Sequence, residues 1–203
     1  MNFHSDNIMP SINKIIEHFQ GCAVDHRLLI ASGVNNQRDI DLVAHLANEH
    51  QYLHCVVVPY TISEERLNHI RMHFTGNSLL YSECDDNTDF ATTQVLVVDY
   101  VGNLASIYCC GAWAYCGSGF KEFATGLLAP IAHGLPVACG MNMSNRAIPK
   151  HLIEQKVCSI VRSTAQISRW FENLLNNEVM LGEIKDHALA FSIAHGTNGE
   201  FEE

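Results

Sequence analysis

An α/β fold built on a doubly wound, mainly parallel sheet is what this sequence predicts, and three observations predict it. Seven short runs rich in strand formers recur along the chain: RLLIAS (27–32), CVVVPY (55–60), SLLYS (78–82), QVLVVD (94–99), AWAYCG (112–117), PVACG (136–140) and VCSIVR (157–162). These runs are continuously apolar, as strands are when both faces of a parallel sheet are covered. Helical patterns fill several of the gaps, and strand–helix alternation with right-handed crossovers builds such a sheet.

The helical patterns are RDIDLVAHLANEH (38–50), SEERLNHIRMHF (63–74), NLASIYCCG (103–111), FATGLLAPIAHG (123–134) and NRAIPKHLIEQ (145–155). The stretch 164–196 reads as two helices broken near Asn176 and Asn177. Ser63 before two glutamates is an expected N-cap, with acid at the positive end of the helix dipole. Thr164 is expected to cap the helix that follows it. Gly134 is expected to close the 123–134 helix, and Pro136 to stop its continuation. Pro130 inside that pattern should kink the helix or confine it to one side. No internal repeat and no long linker appears, so residues 1–203 are expected to form a single domain.

Composition narrows the function classes. The chain is 47% hydrophobic and 17% charged, which fits a globular protein with a real core. Its formal net charge of −10 has no basic run to offset it, which argues against nucleic-acid binding. The acidic ends, HSDN and GEFEE, read as solvated tails. No apolar run approaches the roughly 20 residues of a membrane span. The start, MNFHSDNIMPS, has neither a basic nor an apolar leader region, so no secretory signal is expected.

Eight cysteines and twelve histidines invite a metal reading. Cys22, Cys55, Cys84, Cys109, Cys110, Cys116, Cys139 and Cys158 form no CxxC pair, and most sit in apolar runs, so buried structural thiols are expected over metal ligands or disulfides. His69 and His73 stand four apart and could share a helix face, but no third ligand accompanies them. A solvated face is expected there and no metal site.

Chemistry is expected at the carboxyl ends of the strands, where such sheets bind ligands. Gly117, Ser118 and Gly119 form a GSG turn after one strand and before a helix. Missing side chains would let main-chain N–H groups approach a phosphate, aided by the helix dipole. The same turn could equally be a tight corner needing positive φ. It is not the GxGxxG of nicotinamide enzymes, and no Walker lysine pattern is present, so no cofactor is implied. Two further strand ends carry ASGVNNQRD, with Ser32 and Gly33, and DYVGNLASIY, with Gly102. The three could converge on one crevice or be ordinary strand–helix loops.

Taken together, DYVGNLASIYCCGAWAYCGSGF and AHGLPVACGMN resemble the donor-binding C-terminal half of GT-B glycosyltransferases. Kdo (3-deoxy-D-manno-octulosonic acid) transferases of lipopolysaccharide assembly, in forms from Bacteroides-like bacteria, are the nearest resemblance. Asp99, Gly102 and Leu104 match the family's Asp-x-x-Gly-x-Leu helix start. Tyr115, Gly117, Gly119 and Phe120 match its glycine turn. Gly134, Pro136, Val137, Gly140 and Asn142 match its return strand and loop. VVVPYTISEERL resembles its Pro-His-Glu segment, and LLIASGVNNQRD its first donor-domain loop. The resemblance implies a Rossmann-like sheet forming one half of a GT-B fold, and a CMP-sugar donor held near Ser32, Gly33, Gly102, Gly117, Ser118, Gly119, Phe120, Lys121, Thr125 and Asn142.

The departures bear on activity. The family's His-Asn-x-x-Glu falls on Thr125, Gly126 and Ala129, so its acidic donor contact is absent. Its Pro-His position is Tyr60, and its first-loop Ser-Thr is Gly33-Val34. A carboxylate accepting from a ribose hydroxyl contributes about 1.5–3 kcal/mol, which alanine cannot supply, so weakened donor binding is expected. No residue is assigned as catalytic. Loop N–H groups and Lys121 would serve the donor phosphate, although Lys121 also reads as an exposed helix-start lysine.

Two classes of function stay open. One is the donor-binding half of a Kdo-transferase-like enzyme, inactive alone and completed by an N-terminal GT-B half. It would be cytoplasmic, held peripherally at the inner membrane through its partner. The other is a diverged, non-catalytic module that binds a nucleotide or a protein partner. A nucleotide-sugar enzyme of another kind, such as an epimerase relative, shares the fold expectation.

Overall fold

The computed structural model describes residues 27–85, 87–88, 90–100, 105–117, 126–140 and 150–195. Seven strands form one sheet: β1 (Leu28–Val34), β2 (His54–Pro59), β3 (Ser78–Leu80), β4 (Val95–Val97), β5 (Trp113–Cys116), β6 (Val137–Cys139) and β7 (Cys158–Ile160). Their order is β3-β4-β2-β1-β5-β6-β7, and every pairing is parallel. Each of the seven apolar runs supplies one strand. They are buried because helices cover both faces: Leu28, Leu29, Ile30 and Ala31 of β1 are fully shielded. A fully buried aliphatic side chain of this size contributes about 1.5–3 kcal/mol.

The described helices are α1 (Gln37–Glu49), α2 (Glu64–Arg71), α3 (Ala105–Tyr108), α4 (Leu128–Ala132), α5 (Lys150–Glu154), α6 (Thr164–Leu175) and α7 (Glu178–Ala194). Moving from β1 to β2 goes one way along the sheet, and from β5 to β6 the other way. Right-handed crossovers therefore put α1 and α4 on opposite faces. α6 joins α1, where the Ser168 hydroxyl donates to Glu49 at 2.6 Å; α7 packs against α4. Side chains of β5 alternate accordingly. Trp113 and Tyr115 face α1 and α6, and Trp113 meets Trp170 and Phe171 of α6 edge-on at 6.0 and 5.1 Å. Cys116 faces the α3–α4 side, beside Ser32 and Tyr108.

The helix ends follow their chemistry. Ser63 caps α2, accepting from the Arg66 amide. The cap of α6 is Ser163, whose hydroxyl accepts from the Gln166 amide, and Thr164 is the first helical residue; the expected cap is one residue off. Both are hydroxyl residues, and the one with extended backbone (φ −155°, ψ 164°) takes the cap. Pro130 sits in the first turn of α4, where its missing N–H leaves no bond unmade. Gly134 closes α4 in a Schellman motif: its N–H reaches the Ile131 carbonyl, and the Leu135 N–H reaches that of Pro130. Asn177 separates and caps α7.

The described cysteines are free, and all but Cys109 are buried. Cys116 lies opposite Cys139 in the β5–β6 register, and the Cys139 sulfur is 3.4 Å from that of Cys158. No group of three metal-binding side chains occurs among the described residues. His69 and His73 do share a face, ring centroids 4.7 Å apart, and both bond the Gln37 amide side chain. Burial pushes the Cys116 thiol up to about 12 and that of Cys55 higher still. Thiols of an unfolded chain titrate near about 8.5. Stability is therefore full below that pH and falls as pH rises toward the native values, because only the unfolded chain releases these protons. Urea denaturation at pH 7, 9 and 10 will show a loss of about 1.4 kcal/mol per pH unit for each of Cys55 and Cys116 in the alkaline limb. Cys116→Ala will flatten that limb by about one thiol's share.

Candidate donor-binding crevice

The sheet reverses its winding between β1 and β5, the place where doubly wound sheets open a crevice at their carboxyl edge. Gly33 and Gly117 meet there. The β1–β2 register shifts between Ser32 and Val34, and Gly33 sits in the bulge with φ +63°. The Gly117 N–H donates to the Ser32 carbonyl at 2.7 Å. A side chain on Gly117 would lie 2.7 Å from the Gly33 carbonyl carbon and 2.9 Å from the Val34 nitrogen, with the Gly33 carbonyl oxygen nearer still. Backbone touches backbone, so Gly117 is glycine for a structural reason whatever ligand lies above it.

Beneath this contact lies a buried polar knot that the sequence reading missed. Asp39, in the first turn of α1, is fully buried. Its Oδ2 accepts from the Asn35 and Asn36 amides at 3.2 and 3.3 Å and from Asn36 Nδ2 at 2.8 Å. Its Oδ1 accepts from the Tyr115 hydroxyl at 2.8 Å. Asn36 returns the favour, accepting from the Asp39 amide, which completes a capping box. Burial, and then the neighbouring Asp39 charge, holds the Tyr115 phenol well above its ordinary range. The signal was present as Asn-x-x-Asp at 36–39, but the tyrosine partner is 76 residues away in sequence.

Ser32 is buried, 4% exposed, on the opposite face of β1. Its hydroxyl accepts from Tyr108 at 2.7 Å and faces the Cys116 sulfur at 3.8 Å, so its side chain is committed to packing beneath the strand ends. Asp99, at the end of β4, accepts from the Ser82 amide at 2.9 Å and from the Ser82 hydroxyl, tying β4 to the 3₁₀ turn after β3. Gly126 is exposed with φ +82°, and Ala129 is half-buried against the core in α4. Gly102, Leu104, Ser118, Gly119, Phe120, Lys121, Thr125 and Asn142 lie outside the described residues. Among the expected donor-site residues, Ser32, Gly33 and Gly117 are thus brought together at one strand edge. Tyr60 and Tyr100 follow β2 and β4 at that edge and are 58% and 56% exposed.

No family model and no curated protein matches the chain by sequence. Solved structures match it by fold. The C-terminal CMP-Kdo binding domain of WaaA from Acinetobacter baumannii aligns with a TM-score of 0.70 at 16% identity, covering 86% of this chain and 94% of that one. HepE from Anabaena, solved in complex with UDP, aligns at 0.64 and 11% identity over 91% of this chain and 49% of its own. The C-terminal domain of the group 1 glycosyltransferase LpcC from Francisella tularensis aligns at 0.58 and 12% identity over 95% and 97%. The chain therefore spans nearly all of two isolated C-terminal domains and about half of HepE. Its fold is that of the C-terminal half-domain of GT-B glycosyltransferases. No helix among the described residues is long and apolar enough to cross a membrane.

Two substitutions test the construction of the crevice. Gly117→Ala will cost about 2–3 kcal/mol in urea denaturation, with an unchanged slope against denaturant, because neighbouring backbone must move. Tyr115→Phe will cost about 1.5–3 kcal/mol by removing a buried bond to a carboxylate. A cost under about 0.5 kcal/mol for either will count against the contact described.

Proposed function

We propose that this chain is the donor-binding half of a glycosyltransferase of lipopolysaccharide assembly, taking a CMP-linked sugar of the Kdo class. The observation that carries the reading is the Gly33–Gly117 contact at the switch point of a sheet whose structural neighbours include a CMP-Kdo binding domain. Two strand ends that meet without side chains let a phosphate come close to the turn that follows them. The GSG turn continues from Gly117, with Ser118, Gly119, Phe120 and Lys121 as phosphate contacts.

Donor binding is weak in this reading. Alanine at position 129 is half-buried against the core and offers no acceptor for a ribose hydroxyl. The chain does not transfer Kdo alone, because the acceptor site and its base belong to an opposing half. Tyr60, Ile62 and Tyr100, all solvent-exposed, support such an opposed surface. The same exposure favours the second reading, a diverged module that retains the partner contact and has lost the donor.

Titration of CMP, followed by amide chemical shifts, separates the two. CMP will bind with a Kd of about 0.1–1 mM, or about 4–5.5 kcal/mol, and will shift Gly33 and Gly117. Gly119→Val will abolish the effect. UDP binding the same amides more tightly will reassign the donor. No shift with up to 10 mM of either nucleotide, roughly ten times the weaker expected Kd, will leave the partner module as the function.

A further inference from the structure

We propose that His69, His73 and Asp41 bind a divalent metal ion of the zinc type, in the place where the Gln37 amide now sits. The site lies between α1 and α2. It shares no residue with the Gly33–Gly117 contact, or with a groove of about 390 Å³ beside β7 that Lys156, Arg162 and Arg169 line. The inference does not depend on nucleotide binding.

His69 lies in α2, and His73 follows in the turn that ends it. Residues four apart at this spacing are neighbours, and the two half-buried rings have centroids 4.7 Å apart. Both rings aim Nε2 at one side chain of α1. His69 Nε2 is 2.6 Å from Gln37 Oε1, and His73 Nε2 is 2.9 Å from Gln37 Nε2. Asp41, one turn further along α1, accepts from the same Gln37 Nε2 at 2.6 Å. Two ring nitrogens and a carboxylate oxygen thus converge on one amide. The amide holds them apart, so as they stand they do not surround a single point. Sequence spacing hid the third ligand, because Asp41 comes from another helix.

The donor chemistry identifies the occupant. His73 Nδ1 lies 2.7 Å from the His69 carbonyl, which can only accept, so Nδ1 carries the proton and Nε2 the lone pair. Metal-ligating histidines are fixed in this way, with the second ring nitrogen held by a carbonyl or carboxylate. His69 now donates its Nε2 proton to Gln37 Oε1. It ligates once that proton has passed to its Nδ1 through solvent, with no change in charge. Imidazole nitrogen and carboxylate oxygen together suit Zn²⁺, at about 2.0–2.2 Å from each, and three protein ligands leave a fourth position for water. Gln37 and Asp41 are exposed, so the amide can swing into solvent and the carboxylate can turn inward behind it. Asp41 and the net charge of −10 both favour a cation. The same contacts can instead serve as a clasp joining α1 to α2. The two roles differ at Gln37: a clasp needs its amide, whereas an ion competes with it.

The test titrates Zn²⁺ into the whole chain under reducing conditions and follows the imidazole signals of His69 and His73 by NMR, which separates this site from binding at cysteines. Saturable shifts of both rings are expected, with a Kd below about 100 μM. Gln37→Ala is expected to tighten binding at least threefold by removing the competing amide. His69→Ala with His73→Ala, followed by calorimetry, is expected to weaken it at least tenfold, and Asp41→Asn at least threefold. Circular dichroism of each variant separates loss of binding from loss of fold, and the gain expected of Gln37→Ala cannot come from misfolding. No shift of the two rings, or equal binding by the double histidine variant, overturns the site. Binding by Gln37→Ala no tighter than by the unaltered protein overturns displacement of the amide and leaves the clasp. Equal binding by Asp41→Asn overturns Asp41 as the third ligand.

Discussion

The approach of Gly117 to Gly33 is the constraint on which the described structure turns. It occurs where β1 and β5 send their chains to opposite sides, the position at which this topology opens a crevice. A bulge in β1, a left-handed glycine and a glycine with no room for a side chain are needed together. Neither glycine explains itself alone. Gly33 makes the turn, and Gly117 fills the space that the turn leaves.

The buried Asp39 holds this contact from below. It joins the α1 cap to Tyr115, so the strand that ends in Gly117 is tied to the helix that begins after Gly33. Four donors surround one carboxyl group, which is how a polar group lives in a sheet covered on both faces. On the other face, Tyr108, Ser32 and Cys116 form a second, weaker knot beneath the same edge. The side chains beneath the Gly33–Gly117 contact are thus committed to structure.

The surfaces with chemistry to offer are distinct. The switch point between β1 and β5 lies at the centre of the sheet. A groove lined by Lys156, Arg162 and Arg169 lies at the lateral edge, beside β7. Tyr60 and Tyr100 add exposed aromatic surface at the same edge as the first.

Much was legible in the sequence because its determinants are local. Seven apolar runs, Ser63, Gly134 and the break at Asn176–Asn177 depend on residues within a few positions of each other and appear where expected, whereas the helix expected over 123–134 is, among the described residues, only Leu128–Ala132, because Gly126 takes positive φ just before it. Ser163 and Thr164 differ only in which takes extended backbone, and local chemistry leaves that choice open. Strand order, the reason for glycine at 117 and the Asp39–Tyr115 tie join residues far apart in the chain. The sequence by itself determined the elements and their parallel class. Only packing decided which strand ends touch, because a clash with Gly33 or a bond across 76 residues exists only once the sheet has closed.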